Sequence, residues 1–228
     1  IHFTHSSKGL ISVLKNKFQP KYCLEDLRIF GTTDERESSW LQLAIPMVCF
    51  CETSLSEVKN YLDLYGRYGL IMSKEWGIRN ELCNVMYFEE NSSTTKSLRT
   101  IFKEYRKTSD QNETILEIGQ SLLRFLKFVK PYTGVLKTKY NIEMVHFHLE
   151  KEWRYVPDIK DTDDLTPWVL KSNYQDPDKM KALNSNLAKK HTLHFELNDI
   201  KYILVNNDLE IPKIIEVLNS LIKNEEQP

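Results

Sequence analysis

Three short segments concentrate the polar and aromatic side chains that catalytic and ligand-binding sites use: residues 4–6, 65–69 and 150–155. The third segment has the clearest pattern. In an extended strand, Glu150, Glu152 and Arg154 face one side, where a carboxylate and a guanidinium can pair. Trp153 and Tyr155 face the other side and need burial, which argues against a solvated strand edge. A carboxylate held beside a sheet core is more often functional than one on a helix surface, so this segment can hold a catalytic glutamate.

The other two segments hold further candidates. His5 follows the opening strand. A histidine in this position can be catalytic or can be a hydrogen-bonded structural residue. Tyr65 and Tyr68 lie beside glycines that permit a tight turn from a helix to a strand. A plain connector and a ligand-binding loop explain this turn equally well.

The chain lacks the common signatures of metal and phosphate sites. His146 and His148 share a strand face, but no third ligand of suitable spacing accompanies them, and no metal is expected. The four cysteines have no paired C-x-x-C spacing, and we interpret them as free thiols of a reducing cytosol. The motifs G-x-G-x-x-G, G-K-[ST] and G-x-S-x-G are absent, so kinase, P-loop and α/β-hydrolase activities have no support.

Composition narrows the class of protein. The 228 residues include 41% hydrophobic and 28% charged side chains, which is ordinary for a globular protein. Lysine and arginine number 31 against 32 acidic residues, so no large positive field is available for non-specific binding of nucleic acid. No apolar run is long enough to span a bilayer, and a cytoplasmic protein without a membrane partner is expected. The first residue is Ile1 rather than Met, which leaves upstream residues an open question.

The elements that must position the candidates alternate between strands and helices. Residues 43–51 form a compact apolar run that predicts a buried strand. Ser54 and Glu57 have capping-box spacing, which predicts a helix that ends at Gly66. Helical spacing also predicts two helices over about 98–107 and 113–130. Other predicted features are strands at 69–73, 84–88, 144–149, 153–156, 191–197 and 200–205, turns at 31–39 and 77–80, and helices from 177 and 211.

This order of elements predicts an α+β (mixed α/β) fold. No glycine- and serine-rich linker divides the chain. The simplest organisation is a single domain over residues 1–228, with a helical insertion at about 94–131.

Six segments, taken in order, resemble the AbiGi family of bacterial phage-defence proteins: residues 4–15, 45–52, 65–69, 74–77, 130–134 and 150–157. The resemblance implies a role in abortive infection, in which an infected bacterium stops growing before phage is released. Family members are often labelled as the antitoxin half of a two-gene system. This label implies a partner toxin, expected to be nucleotidyltransferase-like, and a phage component is a possible trigger.

A wider resemblance adds a possible chemistry. The opening strand with Thr4 and His5, followed by a leucine-rich helix, is similar to DarT-type ADP-ribosyltransferases. The Glu-x-Glu-Trp-Arg strand is similar to a related family of ADP-ribosyltransferase-like proteins. The resemblance implies an ADP-ribosyltransferase-like split sheet in which His5 and Glu152 are catalytic and share one cleft. It implies that NAD is bound by His5, Thr4, Tyr65, Tyr68, Lys130 and Arg154.

The chemistry that such a site would perform is cleavage of the bond between nicotinamide and ribose. This cleavage creates an oxocarbenium-like cation, which a carboxylate such as Glu152 can stabilise. The same carboxylate can help to deprotonate an incoming nucleophile, with nucleic acid possible only as an acceptor substrate. Two functions stay open: an ADP-ribosyltransferase or NAD glycohydrolase, and a non-catalytic antitoxin or infection sensor on the same fold.

Overall fold

A computed structural model describes residues 1–31, 41–107, 113–137 and 142–225. The predicted loop at 31–39 therefore lies, apart from residue 31, outside the described residues. Strands and helices intermix along the chain, which confirms the predicted α+β class. Among the described residues, no helix has the length and apolar character that a membrane crossing requires.

The described strands are short, with the exception of β3. In chain order they are β1 (His2–Thr4), β2 (Lys21–Asp26), β3 (Gln42–Cys51), β4 (Tyr68–Met72), β5 (Cys83–Asn84), β6 (Met86–Phe88), β7 (Val129–Pro131), β8 (Gly134–Lys137), β9 (Ile142–Val145), β10 (Glu152–Tyr155), β11 (Val169–Leu170) and β12 (Ile200–Leu204). The helices are α1 (Ser7–Asn16), α2 (Lys59–Tyr65), α3 (Lys74–Arg79), α4 (Ser93–Lys107), α5 (Glu113–Leu126), α6 (Lys171–Tyr174), α7 (Pro177–His191) and α8 (Ile211–Glu225).

Two antiparallel sheets carry most of the strands. The first has the order β1-β4-β12. The second has the order β11-β3-β10-β5, and β2 pairs along β3 as well. Strand β3 is the hub of the second sheet, because β2, β10 and β11 all pair with it. Strands β6 and β7 form a parallel pair, and β8 and β9 form an antiparallel pair.

Strand β3 separates two hydrophobic cores, as the prediction of a buried strand at 43–51 requires. Val48 and Phe50 belong to one core, with members of α1 and β4 and with Trp76. Ile45 and Met47 belong to the other core, to which α4 and α5 contribute a phenylalanine and a leucine. Alternate residues of one strand thus reach opposite cores, because side chains in a strand alternate in direction.

Several predicted boundaries are wrong for identifiable reasons. Helix α2 begins at Lys59 rather than near Ser54, because the Ser54 hydroxyl bonds the Glu57 carboxylate at 3.2 Å instead of capping a backbone N–H. The predicted turn at 77–80 falls mostly in α3, which Ser73 caps by accepting the Trp76 N–H at 3.1 Å. The predicted end of α2 at Gly66 is confirmed.

In the later segments, too, some predicted boundaries are wrong and others are confirmed. Helix α5 ends at Leu126 rather than at 130, because residues 129–131 pair with β6 as a strand. The predicted strand at 144–149 ends at Val145 and continues as a 3-10 helix, Phe147–Glu150. Residues 191–197 contribute a single bridge, between Leu193 and Phe18, rather than a strand. The strands at 153–156 and 200–205 are confirmed within a residue or so.

Candidate functional site

Strand β10 separates apolar from charged side chains, as its alternation predicts. Trp153 pairs with Phe50 of β3, and both contribute to the first core. Glu152 and Arg154 lie on the opposite face and are buried. Glu150 precedes the strand, and Lys151 joins the two with a left-handed backbone at φ 44°. This local kink places Glu150 beside the charged face of β10.

The charged face of β10 belongs to a row of alternating charges that several strands build. Arg154 Nε donates to Glu152 Oε1 at 2.7 Å, and Arg154 Nη2 donates to Glu25 Oε1 of β2 at 2.9 Å. Lys130 Nζ of β7 donates to Glu152 Oε2 at 3.1 Å and to Glu150 Oε2 at 2.9 Å. We call this set the charged row; its members in order are Glu25, Arg154, Glu152, Lys130 and Glu150.

The alternation of positive and negative charges along the row offsets the free-energy cost of burying it. The Arg154 side chain is fully buried, and that of Glu152 is 6% exposed. Removing such ions from water costs several kcal/mol each, and only close pairing with complete hydrogen bonding offsets that cost. Arg154 completes its bonding with Nη1, which donates to the Lys127 carbonyl at 2.9 Å. Each interior member of the row lies between two opposite charges, so loss of one member leaves its neighbours uncompensated.

The pKa of Glu152 records this arrangement. Burial alone would raise the pKa of its carboxyl group, but the positive charges of Arg154 and Lys130 outweigh burial and lower it from 4.5 to about 2. A carboxyl group with a lowered pKa stabilises the fold fully above its unfolded pKa, and that stabilisation is lost as the pH falls toward the folded pKa.

We therefore expect acid to destabilise the protein through Glu152. The melting temperature should fall steeply between about pH 4.5 and about pH 2, where the unfolded state takes up a proton that the folded state resists. Thermal melts across this range should show a shallower acid dependence for Glu152→Gln than for the wild type. Parallel curves for the two proteins would contradict this assignment of the acid response.

The Glu150 end of the row is close to solvent, as is the Glu25 end, where the side chain is 11% exposed. At the Glu150 end the side chains of Lys130 and Glu150 are 14% and 12% exposed. The Tyr65 hydroxyl donates a short hydrogen bond to Glu150 Oε1, and burial together with the Glu150 charge raises the pKa of Tyr65. Lys130 Nζ also lies 4.3 Å from the centroid of the Phe147 ring. This end therefore combines a carboxylate, an ammonium, a phenol and an aromatic face.

The turn after α2 connects this end to the first strand. Gly66 has φ 110°, and a Cβ built on it would lie 2.9 Å from the Cα of His5 and closer still to the Thr4 carbonyl. The turn therefore packs directly on the end of β1, one residue after Tyr65. The rings of Phe3, Tyr61 and Tyr65 form a cluster in which the centroids lie 6.2, 6.3 and 6.4 Å apart.

His5 lies beside the turn at Gly66. It is exposed and lines a shallow cavity with Tyr68 and Asn206, and the lining of this cavity includes no member of the charged row. The Tyr68 hydroxyl donates to Glu210 Oε1 at 2.9 Å, and the Thr4 hydroxyl donates to the Ser6 carbonyl at 3.2 Å.

Comparison with known proteins identifies the family. A family model described as "Putative abortive phage resistance protein AbiGi, antitoxin" matches residues 16–206, which is most of the chain. The chain belongs to the AbiGi family. It is similar to the "Abortive phage resistance protein AbiGi" of Lactococcus lactis subsp. cremoris, with 27% identity over 234 residues that cover 92% of this chain and 91% of the relative. No solved structure matches it.

The family resemblance predicted from the sequence is thus confirmed, and with it a place in abortive phage resistance. The segments at 45–52, 65–69, 74–77, 130–134 and 150–157 lie inside the matched region, whereas 4–15 precedes it. The ADP-ribosyltransferase-like arrangement and the single-domain organisation stay predictions.

Four of the seven site residues that the sequence predicts for this AbiGi family member come together. Tyr65, Lys130, Glu152 and Arg154 lie in or against the charged row. His5, Thr4 and Tyr68 lie around the turn at Gly66 instead, and their roles stay predictions.

The sequence analysis missed three groups at this site. Glu25 bonds Arg154, and Tyr87 accepts the Glu152 backbone N–H at 2.8 Å. Glu150 was seen in the pattern but was not assigned a role. Glu25 gave no usable signal, because β2 itself was not predicted. The alternation of Glu150 with Glu152 and Arg154 could have identified Glu150.

The thiols near the charged row are free. Cys49 and Cys51 lie on the same face of β3, opposite Arg154 and Glu152, and neither forms a disulfide. Burial raises the pKa of both thiols, Cys51 to about 11, so both are protonated at neutral pH. Protonated thiols are weak nucleophiles and poor metal ligands.

The two histidines considered for metal binding do not make a site among the described residues. The rings of His146 and His148 lie 5.8 Å apart, and His148 stacks on Tyr132 at 3.7 Å between centroids. Within the described part of the chain, no group of three or more potential metal ligands is found.

Proposed function

We propose that this protein acts in abortive phage infection by binding and restraining a partner toxin, as an antitoxin without catalytic activity. The observation that carries the proposal is that Glu152 is already occupied: Arg154 donates to one carboxylate oxygen and Lys130 to the other. A carboxylate that stabilises a developing cation has to reach the reacting atom. A buried and fully paired carboxylate favours a structural role, and the family description names an antitoxin.

A second candidate function is cleavage of NAD or transfer of its ADP-ribose, and one structural observation supports it. Tyr65, Lys130 and Glu150 converge where the charged row approaches solvent. Lys130 could turn toward a pyrophosphate, which would release Glu150 and one oxygen of Glu152 for the ribose. In that case NAD would be the substrate, and a nucleic acid or protein would accept the ADP-ribose.

The compartment in which we propose that the protein acts is the cytoplasm. None of the four cysteines is paired. Unpaired thiols persist in reducing compartments, and phage replication also takes place there. A phage component is accordingly a candidate trigger under either function.

Glu152→Gln distinguishes the two functions. As an antitoxin, the variant should restrain the toxin of its two-gene system as well as the wild type does, and neither protein should consume NAD. As an enzyme, the variant should lose NAD consumption by about a hundredfold or more, the usual cost of removing one transition-state contact. The measurements are growth of cells that co-express the toxin, phage plating, and NAD turnover by purified protein.

Stability has to be separated from function in this experiment. Because Glu152 is buried between cations, Glu152→Gln should melt at a lower temperature than the wild type, and assays belong well below that transition. Glu150→Gln, at one end of the row, is the second variant, and Glu75→Gln on α3 is a matched surface control. NAD turnover by the wild type that Glu150→Gln or Glu152→Gln abolishes would overturn the antitoxin proposal.

A further inference from the structure

The other face of the β3–β10 pair, away from the charged row, borders a cavity of about 190 Å³ beside the start of α3. Its apolar lining consists of Ile1, Phe50, Ile71, Met72, Trp76, Leu82 and Trp153. Three of these side chains are aromatic, and the rings of Phe50 and Trp76 pack at 5.4 Å between centroids.

The rim of the cavity carries one carboxylate and one ammonium. Lys74 Nζ lies 3.0 Å from Glu52 Oε1, and Trp153 Nε1 donates to Glu52 Oε2 at 2.7 Å. Lys74 Nζ also lies 5.3 Å from the centroid of the Trp153 ring. The Lys74 and Glu52 side chains are 59% and 48% exposed, so a ligand can reach both. An exposed ion pair contributes little to stability, about 1 kcal/mol at most, and is easily replaced by ligand contacts.

The size and the walls of the cavity select a flat ring. Typical ligand pockets begin at roughly 300 Å³, so this cavity suits one ring system rather than a whole cofactor. Aromatic side chains stack on nucleobases, and base edges are recognised by hydrogen bonds from polar groups beside the stack.

The spacing between the Glu52 carboxylate and the Lys74 ammonium indicates which ring system fits the cavity. Because Glu52 and Lys74 are adjacent, the ligand edge must present hydrogen-bond donors directly beside an acceptor. The edge of guanine does so, since its ring N–H and amino group can both bond one carboxylate while its carbonyl oxygen accepts from an ammonium. Each carboxylate oxygen has two lone pairs, so the exposed Glu52 can accept from the base and keep its bond from Trp153 Nε1.

We propose that this cavity binds the guanine base of a nucleotide, with Glu52 accepting from the base and Lys74 donating to its carbonyl oxygen. The base would replace the Lys74 ammonium over the Trp153 ring and contact Phe50, and its sugar and phosphate would extend into solvent. This site is separate from the charged row, because Glu152 and Arg154 lie on the face of β10 opposite Trp153. It is also independent of whether the protein is an antitoxin or an enzyme.

Titration of the protein with GMP tests the proposal. Binding is measured by calorimetry and by the fluorescence of the tryptophans that line the cavity. GMP should bind and quench this fluorescence. Glu52→Gln should weaken binding by about tenfold or more, the worth of a hydrogen bond to a charged group. Glu75→Gln removes the same charge one residue beyond Lys74, outside the cavity lining, and should leave the affinity unchanged.

A second variant tests whether GMP occupies the cavity, and a set of other ligands tests whether the site is specific for guanine. Gly77 lines the cavity, and a Cβ there meets only Leu82, at 3.8 Å, so Gly77→Ala should fold and yet weaken GMP by narrowing the space. AMP should bind about tenfold more weakly than GMP, because it offers one donor fewer to Glu52. No binding of GMP by the wild type, equal affinity for AMP, or tighter binding of nicotinamide mononucleotide or phenylalanine would overturn the proposal.

Discussion

Replacement of Arg154 by alanine is expected to lower the free energy of unfolding by about 3–5 kcal/mol, the usual cost of removing one partner from a buried ion pair. The side chain is fully buried and donates to Glu25, to Glu152 and to the Lys127 carbonyl. Its loss would leave the three carboxylates of the charged row, Glu25, Glu152 and Glu150, with a single cation, Lys130. A carboxylate without a partner in the protein interior either takes up a proton or destabilises the fold.

Chemical denaturation followed by circular dichroism measures this effect. The matched control is Arg67→Ala, which removes an arginine whose ion pair with Asp63 is largely exposed. Exposed ion pairs are worth about 1 kcal/mol at most, so the control should unfold almost as the wild type does. Equal losses for the two variants would mean that the charged row does not hold the sheet together.

Gly66→Ala is the second change with a large expected effect. Gly66 has φ 110° and ψ 158°, a region that only glycine occupies readily, and occupation by another residue costs about 1–3 kcal/mol. The added Cβ would also collide with the Thr4 carbonyl and lie 2.9 Å from the His5 Cα. Both contacts are with backbone, so strand β1 itself would have to move.

We expect Gly66→Ala to lose about 3 kcal/mol or more of stability and to separate the end of β1 from β4. Hydrogen exchange at the amides of Thr4 and Tyr68, which pair across these strands, should increase. Gly77→Ala is the matched control, because its Cβ has room and alanine favours the helix by up to about 1 kcal/mol. A Gly66→Ala protein as stable as the control would show that the turn can relax without moving β1.

Local patterns in the sequence were sufficient for the features that depend on neighbouring residues. The period-two alternation of 150–155 predicted which side chains of β10 enter the core and which form the charged face. The compact apolar run predicted β3, and a glycine predicted the end of α2. These predictions succeeded because strand geometry and glycine conformation depend on one residue and its neighbours.

Only the tertiary structure decided what the charged face does. Arg154 and Glu152 have partners on β2 and β7, and no local pattern states which distant strands will pair. The same holds for the boundaries that were wrong. Residues 129–131 do not continue helix α5, because they pair with the distant strand β6.

The sequence by itself therefore determined the α+β class, the family and the two-sided character of β10. The tertiary structure decided that Glu152, the leading catalytic candidate, is buried between two cations, Lys130 and Arg154. The physical reason is that side-chain direction follows from the local backbone, whereas pairing and burial of charge depend on residues brought together from distant parts of the chain.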